Sequence, residues 1–210
     1  MKNLKVVIGV MVGGLLLVGG MVFGLSKMEG EQAGLDVEVE KLVDGAGWVI
    51  GGEDYKLTVV EFSDLQCPAC KQSKYVYRGL KEMDGVRYVY RHLPLVTIHK
   101  NAWVAAKATE AAKEMGKGWE MVDLLFAKQE EWSGGDDFED RLNDYAILLD
   151  LDVDELMSFY KDKDLEDQIV RDAALADELK LPGTPTFFVE GEQVAANFVL
   201  GKVEGLLKEK

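Results

Sequence analysis

Apolar and polar positions alternate with different periods along this chain, and each period predicts a different element. Val6 to Leu25 is a run of 20 residues without a charge, which at about 1.5 Å per residue reaches roughly 30 Å, the thickness of a bilayer's hydrocarbon core. Residues 26 to 45 are polar and aperiodic and read as a tether, with the folded part expected to begin near Trp48. Leu57 to Phe62 is a short, largely apolar, β-branched run, the pattern of a strand covered on both faces. Pro68 suits the first turn of a helix running to about Met83, Asp84-Gly85 ends it, and Val86 to Tyr90 reads as a second strand.

The period then changes. Val104, Ala108, Ala111, Ala112 and Met115 recur at helical spacing, as do Phe138, Leu142, Tyr145, Ala146 and Leu149. Met121 to Gln129 and Leu165 to Leu179 look alike, and Asp152 with Glu155 fits a capping pair. Leu181-Pro182-Gly183 stops this helical stretch, Thr186 to Val189 reads as a strand, Gly191 as a hairpin turn, and Val194 to Leu200 as the returning strand, with a short helix from about Lys202. Strand, helix, strand, helical insert, hairpin, helix is an α/β order. The divisions expected are an N-terminus and transmembrane signal-anchor over 1–25, a linker over 26–45, and a folded domain over 46–210 with its helical insert at about 99–180.

Flanking charges orient the span. Lys2 and Lys5 precede it while Glu29 and Glu31 follow soon after Lys27, so the positive-inside bias keeps the N-terminus cytoplasmic and puts the domain outside. A cleaved signal peptide, the alternative, would leave a secreted or periplasmic domain, but it usually has an apolar run of about 7 to 15 residues and a small-x-small site, and none is clear after Leu25. The net charge of −14 repels phosphate backbones, so nucleic acid is not expected as a partner.

The chain's two cysteines stand as Cys67-Pro68-Ala69-Cys70 where a buried strand turns into a helix. Unpaired N–H groups and the positive dipole end of a helix N-terminus stabilise a thiolate on the first sulfur. Cys67 is therefore the expected nucleophile, exposed and acidic, and Cys70, one turn on and shielded, the resolving thiol. A structural disulfide would close a loop too short to constrain the unfolded chain much. A zinc site would need both His92 and His99, whose spacing does not suit it; these histidines are expected to make capping or loop hydrogen bonds, and no metal or other cofactor is expected.

Glu61 to Cys70, with Arg91-His92-Leu93-Pro94-Leu95, the stretch His99 to Ala112, and Gly183-Thr184-Pro185-Thr186-Phe187-Phe188-Val189, resembles the DsbA family of thioredoxin-like thiol-disulfide oxidoreductases, and within it the membrane-anchored BdbD-like branch. The resemblance implies a thioredoxin-like fold with an inserted helical subdomain. It also implies that Pro185 is a cis-proline facing the cysteines and that Thr184 offers backbone hydrogen bonds to an extended substrate. Glu61, six residues before Cys67, takes the place of a buried acid that relays a proton to or from Cys70, its pKa raised by burial. Ala69 departs from the histidine common in strongly oxidising members, so thiolate stabilisation is expected to rest mainly on helix N–H groups and the disulfide to be less oxidising.

The function expected is extracytoplasmic oxidation of cysteines in exported proteins, with a quinone-linked DsbB-like or VKOR-like membrane protein as reoxidant. A reductase or isomerase on the same residues is the alternative, and a redox-idle binding module or chaperone a more distant one.

Overall fold

The computed structural model describes residues 34–210. The span expected over Val6–Leu25 lies outside the described residues, and among those described no helix is long and apolar enough to cross a membrane. In chain order the elements are α1 (Val39–Val43), β1 (Trp48–Ile50), β2 (Leu57–Ser63), α2 (Pro68–Lys81), β3 (Val86–His92), α3 (Ala102–Glu114), α4 (Gly118–Ala127), α5 (Gln129–Trp132), α6 (Phe138–Leu148), α7 (Val153–Lys161), α8 (Glu166–Glu178), β4 (Thr186–Val189), β5 (Glu192–Val194) and α9 (Ala196–Glu209).

The strands form one sheet in the order β1-β3-β2-β4-β5. β2 and β3 run parallel, joined by the crossover helix α2, and the remaining pairs are antiparallel. Successive side chains of a strand point to opposite faces, so β2 sorts its residues between two cores. Leu57 and Val59 join a large cluster with α2, α9 and the helical insert, while Val60 and Phe62 join a smaller one with Leu42 and Ala176. Glu61, two residues beyond Val59, therefore lies on the face that α2 covers, where the cysteines are.

Two expectations are corrected here. The linker expected over 26–45 is in its last ten residues part of the domain: Val37 N–H donates to Gly191 O at 2.9 Å, α1 buries Leu42 completely, and the compact unit begins at Leu35. Gly191 is required at this contact, since its φ is +90° and a Cβ there would stand 2.2 Å from Val37 O. The strand expected over Val194–Leu200 ends at Val194, and α9 begins at Ala196 rather than near Lys202. The reason is periodic: Val199 and Val203 are four apart and both fully buried, with Leu206 and Leu207 packed against the same core, which is the spacing of a helix.

Candidate active site

Cys67 is the N-cap of α2, with extended backbone (φ −71°, ψ 123°) and Pro68 in the first turn. Pro68 costs nothing there, because a helix's first N–H groups have no internal partner. Both cysteines are free thiols. Cys67 was expected to be exposed at the helix tip, but only 7% of it is accessible. It is covered from across the site by the loop before β4: Cys67 Sγ lies 3.5 Å from the Thr184 carbonyl oxygen, and the Thr184–Pro185 peptide is cis. Cys70 is 1% exposed.

This environment drives the two thiols apart. Cys67 is lowered from 9.0 to about 5, chiefly because the Cys70 thiol donates to its sulfur, against the opposing effect of burial; the Thr184 hydroxyl and the backbone N–H groups of Cys70 and Ala69 add to the lowering. The helix N–H groups thus contribute, but the neighbouring thiol contributes more, which corrects the expectation that they would dominate. The Thr184 hydroxyl is buried without a hydrogen-bond partner, and the direct contact to Cys67 Sγ is made by the Thr184 carbonyl. Cys70 is pushed strongly upward, first by burial, then by its hydrogen bond to Cys67 and by the charges of Glu61 and Cys67.

Glu61 is 4% exposed, and its carboxyl accepts from Tyr88 Oη at 2.5 Å. Burial raises its pKa from 4.5 to about 7, against the lowering effect of hydrogen bonds from Tyr88 and Ser63. Glu61 and Cys70 line one small cavity of about 10 Å³, with Tyr88, Tyr90, Trp119 and the Lys74–Asp123 ion pair completing its wall. That is close to the least space a single water needs. The fold thus gathers Cys67, Cys70, Thr184 and Pro185 at one rim and sets Glu61 beneath Cys70.

Several residues at the site escaped sequence reasoning. Asp64, 2% exposed, takes hydrogen bonds on its carboxylate from Gln66 N, Leu95 N and His99 Nδ1. Gln129 Nε2 donates to the carbonyls of Leu65 and Cys67, and Gln66 Oε1 accepts from Asn101 N, so the helical insert grips the active-site loop. His92, expected to cap or brace a loop, pairs instead with the Glu110 carboxylate, while His99 makes the expected loop hydrogen bond, to the Asp64 carboxylate. The available signal was an acid, Asp64, closing a buried strand three residues before a cysteine. Among the described residues no cluster of three or more His, Cys, Asp or Glu is placed to hold a metal.

A Cys-x-x-Cys at a helix N-terminus, across from a cis-proline in the loop that leads into the antiparallel strand β4, with a helical insert between the halves of the sheet, defines a thioredoxin-like thiol-disulfide oxidoreductase fold. A family model described as Thioredoxin matches residues 44–209, and the chain belongs to that family. Among solved structures it is similar to a thioredoxin-like oxidoreductase from Silicibacter pomeroyi DSS-3 (TM-score 0.67, 28% identity, 82% of this chain and 99% of that one). It shares its fold with BdbD from Bacillus subtilis (TM-score 0.65, 22% identity, 84% and 96% covered). Among curated sequences it is 43% identical over 146 residues to Na(+)/H(+) antiporter NhaA 3 of Salinispora tropica, a match to 69% of this chain but only 22% of that protein. The chain thus spans about a fifth of the length of that relative.

Proposed function

We propose that the protein is an extracytoplasmic disulfide donor acting on cysteines of exported proteins. The observation that carries this reading is the opposed tuning of the pair, Cys67 lowered to about 5 and Cys70 pushed up. A substrate thiolate attacks Cys67 Sγ in the oxidised form; the Cys67–Cys70 bond breaks and Cys70 leaves as a thiolate, taking a proton from Glu61. The substrate's second thiolate then attacks its own sulfur in the mixed disulfide, and Cys67 leaves as the stable thiolate. The substrate loses two electrons and the protein gains them. A reduced form stabilised in this way is what makes a dithiol oxidising.

The extended backbone beside Pro185, with Thr184 at its edge, receives the substrate segment by main-chain hydrogen bonds. A quinone-linked DsbB-like or VKOR-like membrane protein restores the disulfide, and the uncharged N-terminal run keeps the domain near it by raising effective concentration. The competing reading, a reductase on the same residues, is favoured by Ala69, which brings no positive charge between the cysteines.

Cys70→Ala, lacking the resolving thiol, is expected to trap Cys67 in mixed disulfides with exported proteins, visible on non-reducing gels and abolished by adding Cys67→Ala. An absence of adducts in the single variant would contradict protein disulfide exchange.

A further inference from the structure

We propose that the Asp64–His99 pair positions the active-site loop so that the Asp64 backbone N–H is held on Cys70 Sγ, stabilising the sulfur that carries the charge when the Cys67–Cys70 bond breaks. This rests on the disulfide-exchange reading above. Asp64 acts at once through its main chain and its side chain. Its N–H points at Cys70 Sγ (3.5 Å) and its carbonyl accepts from Cys67 N–H (3.0 Å), so this one peptide neighbourhood touches both cysteines.

The side chain explains how that main chain is kept in place. Its Oδ1 accepts from Gln66 N at 2.7 Å, a local turn that any short acceptor could make. Its Oδ2 reaches a different segment, accepting from Leu95 N at 2.9 Å and His99 Nδ1 at 2.7 Å. Since a carboxylate only accepts, the His99 Nδ1 carries the hydrogen. The Asp64 side chain is fully buried, while that of His99 is 17% exposed, so the histidine closes the link from the solvent side. A buried carboxylate left without donors is costly, and so close to Cys70 its charge would also oppose a thiolate. His99 supplies one of the three donors to this carboxylate, beside the N–H groups of Gln66 and Leu95, and so lowers the first penalty.

The chemistry needs this donor because of where charge appears. Attack on Cys67 expels Cys70, and Cys70 is shielded from water, so the developing thiolate has few donors available. The Asp64 N–H is the backbone donor that opposes the upward push on this thiol. Resolution in the reverse direction passes through the same transition state. Loss of the link should therefore slow both directions, and since the Asp64 N–H already reaches Cys70 Sγ in the dithiol form, any inequality between the two factors appears as a shift of the reduction potential.

The test uses the full chain and dithiothreitol, reduced and oxidised, as the probe, with exchange followed by the fluorescence of Trp119 in the cavity beside Cys70. His99→Leu breaks the link, and His99→Asn keeps an amide N–H near the place of Nδ1. His99→Leu is expected to slow reduction and reoxidation about tenfold each, less than the loss of a full oxyanion-type donor because sulfur is a weak acceptor and the effect is indirect. The Cys67 titration should not move, and His99→Asn should regain most of the rate. Wild-type rates in His99→Leu would overturn the inference, as would a fall in melting temperature with slowed exchange that His99→Asn does not restore. If the wild-type protein exchanged no disulfide at all, the function itself would fall, an outcome distinct from these.

Discussion

Glu61 and Glu110 are buried to the same extent, 4% and 3% exposed, yet their carboxyls shift in opposite directions. Burial opposes ionisation of both. At Glu110 it is outweighed by the hydrogen bond and charge of His92 (3.1 Å), by Trp48 Nε1–H (2.5 Å) and by Lys113 (3.3 Å), and the pKa falls. At Glu61 the hydrogen-bond partner is the Tyr88 hydroxyl (2.5 Å), with the Ser63 hydroxyl also lowering the pKa and no cation among them, and the pKa rises to about 7. Asp172 on α8, fully buried, repeats the first pattern: Arg91 Nη1 at 2.6 Å, the His92 N–H and Gln168 Nε2 satisfy it. A buried carboxylate with a cation is a structural anchor. One with only hydroxyls and a small cavity is poised to carry a proton near neutral pH.

The comparison is broken most severely by removing a cation from an anchor. Arg91→Leu leaves Asp172 buried and unpaired and also frees the carbonyls of Leu42 and Asp44, which Arg91 holds. A loss of about 3–5 kcal/mol is expected from urea unfolding; a loss below about 1 kcal/mol would mean that the Arg91–Asp172 pair is not an anchor of the fold.

Glutamine substitutions should act in opposite senses at the two glutamates. The folded pKa of Glu61 is raised from 4.5 to about 7, so the group contributes no difference below pH 4.5, where both states hold the proton. As pH rises towards 7 the unfolded chain releases that proton and the folded one keeps it. Wild type thus loses stability, by roughly 3 kcal/mol above pH 7, and Glu61→Gln does not. The variant should be the more stable above pH 7 and equal near pH 4. Glu110→Gln should be less stable by about 1–3 kcal/mol at neutral pH, with a deficit that shrinks as pH falls, because a lowered carboxyl contributes its stability above the unfolded pKa. Matching signs for the two variants at pH 7.5 would erase the distinction drawn between them.

Glu61→Gln should also slow disulfide exchange about 100-fold near neutral pH while the fold survives, the usual size of a lost acid-base group. Rate profiles identical to wild type across pH would assign the proton transfer to water or another group. The smallest effect concerns the rim: Cys70→Ala removes the largest influence on Cys67, so the thiolate's ultraviolet titration midpoint should rise from about 5 yet stay below 9.0, held by Thr184 and the helix N–H groups. An unchanged midpoint would mean that the Cys70 thiol does not donate to Cys67.

What could be read from the sequence is what is local. The strand into Cys67-Pro68-Ala69-Cys70 is written in adjacent residues, and β4 falls on Thr186–Val189 as its flanking Pro185 and Gly191 require. α1 escaped notice because its 5 residues are too few to show a helical period, and its place depends on Arg91, 49 residues beyond Leu42. The return of α9 was obscured by the apolar run from Val194, which fits either period until the burial of Val199 and Val203 is seen. Glu61 stood out as an acid inside an apolar strand, but Asp64 and His99 are 35 residues apart, and nothing near either signals the other.

The reduction potential of the Cys67–Cys70 pair against glutathione tests the central claim most directly. A disulfide donor whose nucleophile sits at about 5, without a charged residue between its cysteines, should lie between thioredoxin at about −270 mV and the strong oxidant DsbA at about −120 mV. A value at or below about −270 mV would contradict the account and make the protein a reductase.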